Sequence, residues 1–98
     1  MNAITLDDRV ARNPSILGVE TEEREVLLMD EDSGNCFALG GSGLLVWRAT
    51  EQPIRVREIC AALRAHYRID EETCTTQTLA YVAHLAAENL LHRLPDPE

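Results

Sequence analysis

The spacing of apolar and polar residues changes character midway along the chain. Its first half carries three short apolar runs, Ile16 to Thr21, Val26 to Asp30 and Cys36 to Leu39, parted by Glu22-Glu23-Arg24-Glu25 and Glu31-Asp32-Ser33-Gly34. Short β-type runs bounded by charged residues and turn formers predict strands, and Gly34 can take a positive φ just before the third of them. Within the second run Val26 and Leu28 point to one face and Leu27 and Met29 to the other. A strand apolar on both faces belongs at the centre, so the runs predict a three-stranded antiparallel meander. Its third strand, Cys36 to Leu39, is then an edge with free backbone N–H and C=O groups, unless another segment covers it.

After Leu39 the period becomes helical. Gly40, Gly41 and Ser42 turn directly into a helix with Val46 and Trp47 as anchors, and Gly40 or Ser42 is the expected N-cap. Thr50, Glu51, Gln52 and Pro53 end it. A second helix is expected from Arg55 to Tyr67, with Val56, Ile59, Cys60 and Leu63 at i, i+3, i+4, i+7. A third should start after Asp70, a good N-cap with Glu71 and Glu72 in its first turn, and run to about His92 before Pro95 and Pro97. Its apolar arc of Cys74, Thr78, Tyr81, Val82, Leu85, Ala86 and Leu90 is wide enough to touch both the helical layer and the sheet. The expected fold is α+β, in the order β-β-β-α-α-α. Residues 1–14, ending in Asn13-Pro14, read as a flexible N-terminal arm, 15–94 as the domain and 95–98 as a C-terminal tail.

Composition narrows the function. The 98 residues suit one domain with a modest core, and the formal net charge is −8 with a pI of about 4.7. Long-range repulsion then argues against nucleic acid and anionic membranes as partners. Asp7, Asp8, Arg9 and Arg12 break up any opening signal or membrane segment, so the expected location is cytoplasmic. Cys36, Cys60 and Cys74 include no close pair, which argues against a disulfide framework and a zinc site; reduced thiols in apolar positions are expected, with no metal and no cofactor. His66, His84 and His92 could in principle complete a metal site with those thiols, but reduced thiols filling apolar positions are the far commoner case.

Catalytic chemistry finds little support. Ser33 and Ser42 sit in glycine turns, outside any nucleophile-elbow pattern. The run Gly40-Gly41-Ser42-Gly43 lacks the lysine of a P-loop and the full glycine fingerprint of a dinucleotide site. Glu20, Glu22, Glu23 and Glu25 at one turn, and Asp30, Glu31 and Asp32 at the other, read as a solvated rim, since calcium-ligand spacing does not follow. Arg55, Arg57, Arg64, His66 and Arg68 give the second helix a basic side that reads as solvated and could attract an acidic peptide.

One family resemblance covers most of the chain. VLLMDEDSGNCFALGGSGLLVW at 26–47, IRVREICAALRAHYRID at 54–70 and ETCTTQTLAYVAHLAAENLL at 72–91 resemble, in order and spacing, the PqqD-like proteins. These are recognition elements for ribosomally made, post-translationally modified peptides, named for a pyrroloquinoline quinone biosynthesis protein. The resemblance implies a small winged helix-turn-helix with a three-stranded sheet and three helices. It also implies binding and not catalysis: the leader segment of a precursor peptide adds as a strand to the third strand and lies between it and the third helix. Carried onto this sequence, the peptide-binding positions are Asn35, Cys36, Phe37, Ala38 and Leu39 on the strand. On the helix they are Gln77, Ala80, Tyr81 and His84.

Departures from the pattern refine the expectation. Many relatives have Asn where Gly40 stands and Gly where Asn89 stands, and both exchanges are compatible with a cap and a left-handed turn. Asp32-Ser33-Gly34 replaces the proline-glutamate-glycine turn of the pyrroloquinoline quinone branch. With Phe37 and Leu39, it is more similar to the stand-alone leader-binding proteins of lasso-peptide pathways, whose partner is a separate leader peptidase or other peptide-modifying enzyme. The alternatives are a PqqD-type peptide chaperone for a radical enzyme and a winged-helix DNA-binding regulator. The latter should carry a basic recognition helix, whereas residues 71–92 hold Glu71, Glu72 and Glu88 with no Lys or Arg.

Overall fold

A computed structural model describes residues 3–95. Its elements are β1 (Arg9–Arg12), β2 (Ile16–Glu20), β3 (Glu25–Asp30), β4 (Cys36–Gly40), α1 (Ser42–Ala49), β5 (Ile54–Arg55), α2 (Val56–His66), α3 (Glu71–Ala87) and β6 (Leu91–Leu94). The meander is present, as an antiparallel sheet in the order β2-β3-β4 with β3 at its centre. Gly34 has φ 79° in the turn before β4. On the inner face Val26 and Leu28 are buried and meet Val46 and Trp47 of α1 in one apolar core that also takes in Ile59, Leu63, Val82 and Leu85. Asp30 is buried too and does not belong to a solvated rim: its carboxylate accepts from the Asp32 N–H at 2.9 Å and so holds the turn.

The strand-to-helix junction is sharper than either expected cap allows. Gly41 is the N-cap, with φ 56° and no side-chain bond to the helix. A left-handed residue lets the chain reverse from β4 into α1 with no linker, and glycine adopts that conformation without a Cβ penalty. Neither Gly40 nor Ser42 caps the helix. At its other end Thr50 is buried and its hydroxyl donates to the Trp47 carbonyl at 2.7 Å.

A second antiparallel sheet, β5-β1-β6, corrects the expected β-β-β-α-α-α order and the arm. Val10 in β1 is fully buried, Arg9 lies opposite Leu94 and Arg55, and Val10 lies opposite Arg93 and Ile54. Residues 9–12 are therefore part of the folded domain. Arg12 reaches α1, where its guanidinium stacks 4.3 Å from the Trp47 ring centroid and donates to the Trp47 carbonyl and the Thr50 hydroxyl. The basic side of α2 is likewise engaged: Arg57 pairs with Asp7 at 2.6 Å and Arg55 donates to the Asp7 carbonyl. Met1 and Asn2 of the expected arm, and residues 96–98 of the expected tail, lie outside the described residues.

α3 starts as expected, with the Asp70 carboxylate accepting from the Thr73 N–H at 2.9 Å. That bond holds the Asp70 carboxyl below its usual pKa. The helix ends at Ala87 and not near His92, because Asn89 takes a left-handed φ of 61°. The Leu90 N–H then bonds the Leu85 carbonyl and the Asn89 N–H bonds the Ala86 carbonyl, a Schellman arrangement that closes the helix over buried Leu85 and Leu90. Leu91–Leu94 turn back to pair with β1. α3 thus packs mainly against α2 and β6.

A candidate peptide-binding edge and pocket

The edge of the meander is built by register. The Asp30 N–H donates to the Asn35 carbonyl at 2.9 Å, and bonding alternates along an antiparallel pair. Phe37 and Leu39, opposite Leu28 and Val26, are therefore the β4 residues that bond inward to β3. The N–H and C=O groups of Cys36, Ala38 and Gly40 point away from the sheet. Among the described residues no strand pairs with β4 on that side. Side chains alternate with the backbone: Phe37 and Leu39 pack on the core, while Cys36 and Ala38 are exposed on the outer face. Cys36 is thus not a thiol filling an apolar position, unlike Cys60 and Cys74, which are buried. Asn35 is exposed, and its N–H donates to the Ser33 hydroxyl at 3.2 Å.

A pocket of about 350 Å³ opens just beyond the end of β4, at the start of α1. Val46, Leu63, Tyr67 and Ile69 make its apolar wall, while Ser42 and Gln77 supply polar groups, and Tyr81 closes one side. Burial pushes the Tyr81 phenol above its ordinary pKa, which keeps it protonated. Tyr67 ends α2 with its ring edge-on to His66 at 4.9 Å. A mostly apolar hollow with a few polar groups suits one bulky side chain of a longer ligand.

Gly43 joins edge and pocket. A Cβ on Gly43 would lie 2.5 Å from the Tyr81 hydroxyl, 3.3 Å from Tyr81 Cζ and 3.4 Å from Leu39 Cβ. Only glycine lets α3 approach α1 this closely beside β4. Gly43→Ala should therefore displace Tyr81, costing about 1–3 kcal/mol of stability by overpacking. In the double variant Gly43→Ala/Tyr81→Phe the closest contact relaxes to the ring carbon, and most of that loss should return in urea unfolding. Additive losses would mean that Tyr81 does not sit on Gly43.

Of the helix residues carried over by resemblance, Gln77 and Tyr81 line the pocket. Ala80 and His84 are exposed on α3 and do not line it. Leu63, Tyr67 and Ile69 were not expected at the site. The signal for Leu63 and Tyr67 lay in the α2 stripe, which Tyr67 extends by four residues beyond Leu63 and past the helix end. Among the described residues no cluster of three or more His, Cys, Asp or Glu could hold a metal, and no helix is long and apolar enough to cross a membrane.

Comparison with known proteins adds identity to this geometry. No curated protein matches the chain. The solved structure of TbiB1 in complex with the TbiA(beta) leader peptide matches with a TM-score of 0.80 and 26% identity, over 88% of this chain and 99% of that one. The family described as coenzyme PQQ synthesis protein D matches residues 25–91, from β3 through the first residue of β6. With a family match over most of its length, this chain belongs to the PqqD family.

Proposed function

We propose that the protein is a non-enzymatic module that binds the leader segment of a ribosomally made precursor peptide. The leader adds as a strand along Asn35 to Leu39 and sends one bulky side chain into the pocket beside Gln77 and Tyr81, while Ala80 and His84 flank its path. The observation that carries this reading is the open β4 edge with an apolar pocket beside its end, the two joined at Gly43. Strand addition needs both parts, because backbone bonds supply affinity and a pocket supplies selection. Similarity to a protein solved with a leader peptide supports it.

In this reading the loaded module delivers the precursor to a maturation enzyme, a leader peptidase of a lasso-type pathway first, given the Asp32-Ser33-Gly34 turn. A radical enzyme in the manner of PqqD is the second assignment. We read the arrangement of α2, α3 and the meander as a winged helix-turn-helix. A DNA-reading role is disfavoured by α3, whose outward charges are Glu71 and Glu72, and by the formal charge of −8. Titration of the protein with a synthetic leader, followed by calorimetry, tests the reading. Saturable one-to-one binding that survives rising salt is expected. Salt-sensitive binding to duplex DNA with no response to leader peptides would overturn it.

A further inference from the structure

Two cysteines meet where α2 packs on α3. The Cys74 thiol donates to the Cys60 carbonyl at 3.7 Å, and its sulfur is also 3.7 Å from the Thr78 hydroxyl. The Cys60 thiol is in hydrogen-bonding contact with the Cys74 thiol and with the same hydroxyl. Packing alone asks only for two small apolar side chains at this place. Both residues are buried, yet each also stands at the wall of a hollow. Cys74 lines the leader pocket, whereas Cys60 lines a separate hollow of about 190 Å³ with Leu6, Ala61, Arg57, Arg64 and Glu71. Cys60 is the more accessible of the two, at 7% exposed against 2%. Burial pushes its thiol above the ordinary pKa, with Arg57 opposing that shift. Attack by Cys60 is therefore slow at neutral pH, which suits a group that responds to sustained oxidant and not to every passing disulfide.

We propose that Cys60 and Cys74 are a thiol oxidation site, which a small-molecule disulfide such as oxidised glutathione converts to an intramolecular disulfide that narrows the leader pocket. The Cys60 thiolate attacks one sulfur of the oxidant, forming a mixed disulfide and releasing one thiolate. The Cys74 thiolate, already in contact, then attacks the Cys60 sulfur and releases the second. Two protein thiols are oxidised, one disulfide is reduced to two thiols, and the protein's thiol protons pass through solvent to the released thiolates.

The position of the pair gives the bond a consequence. Bonded sulfurs stand about 2.05 Å apart, much closer than thiols in contact. Forming the bond turns the Cys74 sulfur toward α2 and draws the two helices together. Leu63, Tyr67 and Ile69 of the pocket lie between the two cysteines in sequence, and Gln77, Thr78 and Tyr81 follow Cys74 on α3. Both walls of the pocket therefore move with the bond, and its space of about 350 Å³ shrinks. The effect on leader binding rests on the leader-binding reading, whereas the bond itself does not.

The test uses the full chain carrying Cys36→Ser, which removes the exposed thiol, with its own reduced form as the reference. The folded protein is incubated with oxidised glutathione at a pH of about 8.5, near the ordinary thiol pKa. It should lose the mass of its two thiol hydrogens, and a non-reducing peptide map should join Cys60 to Cys74. The urea midpoint should rise, because the bond constrains the unfolded chain. Affinity for a synthetic leader should fall about tenfold and return with dithiothreitol. Adding Cys60→Ala should abolish the crosslink and make leader affinity indifferent to oxidant. Recovery of both thiols unlinked from the treated, folded protein would overturn the proposal. So would a crosslinked protein that binds the leader as tightly as its reduced form. A reduced protein that binds no leader, yet forms the crosslink and gains stability, would instead overturn the leader reading and leave the oxidation site standing.

Discussion

Trp47→Ala should remove most of the stability of the domain, about 3–5 kcal/mol for a large aromatic side chain truncated in a closed core. Trp47 is 3% exposed and sits where three parts of the chain meet. Its ring lies under the Arg12 guanidinium. It also reaches β2, where a Cβ on Gly18 would come 3.3 Å from the indole nitrogen. Through its carbonyl it anchors Thr50 and Arg12 at the end of α1. Truncation therefore opens a cavity between α1 and the meander and leaves Arg12 without its stacking surface. Since small domains hold about 5–15 kcal/mol in total, the variant should be partly unfolded at room temperature by circular dichroism. A parental urea midpoint would contradict this placement of the indole.

The second large effect concerns binding and not folding. Cys36→Pro and Ala38→Pro should each lower leader affinity about tenfold or more. Proline removes an N–H that points away from β3, so the internal ladder keeps its bonds, and edge strands tolerate proline where the N–H faces outward. The lost intermolecular bond is worth about 0.5–1.5 kcal/mol. The ring also crowds the incoming strand, and about 1.4 kcal/mol is a factor of ten in affinity. Phe37→Pro is the contrasting variant: its N–H belongs to the internal ladder, so it should destabilise the sheet itself. Folded Cys36→Pro and Ala38→Pro proteins with parental affinity would exclude strand addition at β4 and leave recognition to α3 and the pocket.

How far the sequence could be read depended on whether an element announces itself locally. β2, β3, β4 and the stripe of α2 did, because alternation and helical spacing are properties of neighbouring residues. β1, β5 and β6 did not. Arg9-Val10-Ala11-Arg12 offers one large apolar residue, and Ile54–Arg55 is two residues long. Leu91–Leu94 continues an apolar period that looks helical until Asn89 turns left-handed. Each is a strand only because a distant segment pairs with it, as Arg12 does with Leu91. The two-faced apolarity of β3 marked it correctly as central. It did not mean burial on both sides, since Leu27 and Met29 face outward. Of the residues that line the pocket, Gln77 and Tyr81 were named by resemblance, whereas Ile69 enters it from a connection with no period to follow.

Backbone amide exchange on leader addition tests the central claim most directly. Phe37 and Leu39 donate to β3 in the free protein, so their amides should exchange slowly before and after the leader is added. Cys36, Ala38 and Gly40 should exchange fast in the free protein and become protected in the complex, giving an alternating pattern that only a paired strand produces. A saturated complex in which those outward amides still exchange at their free rates would contradict the account.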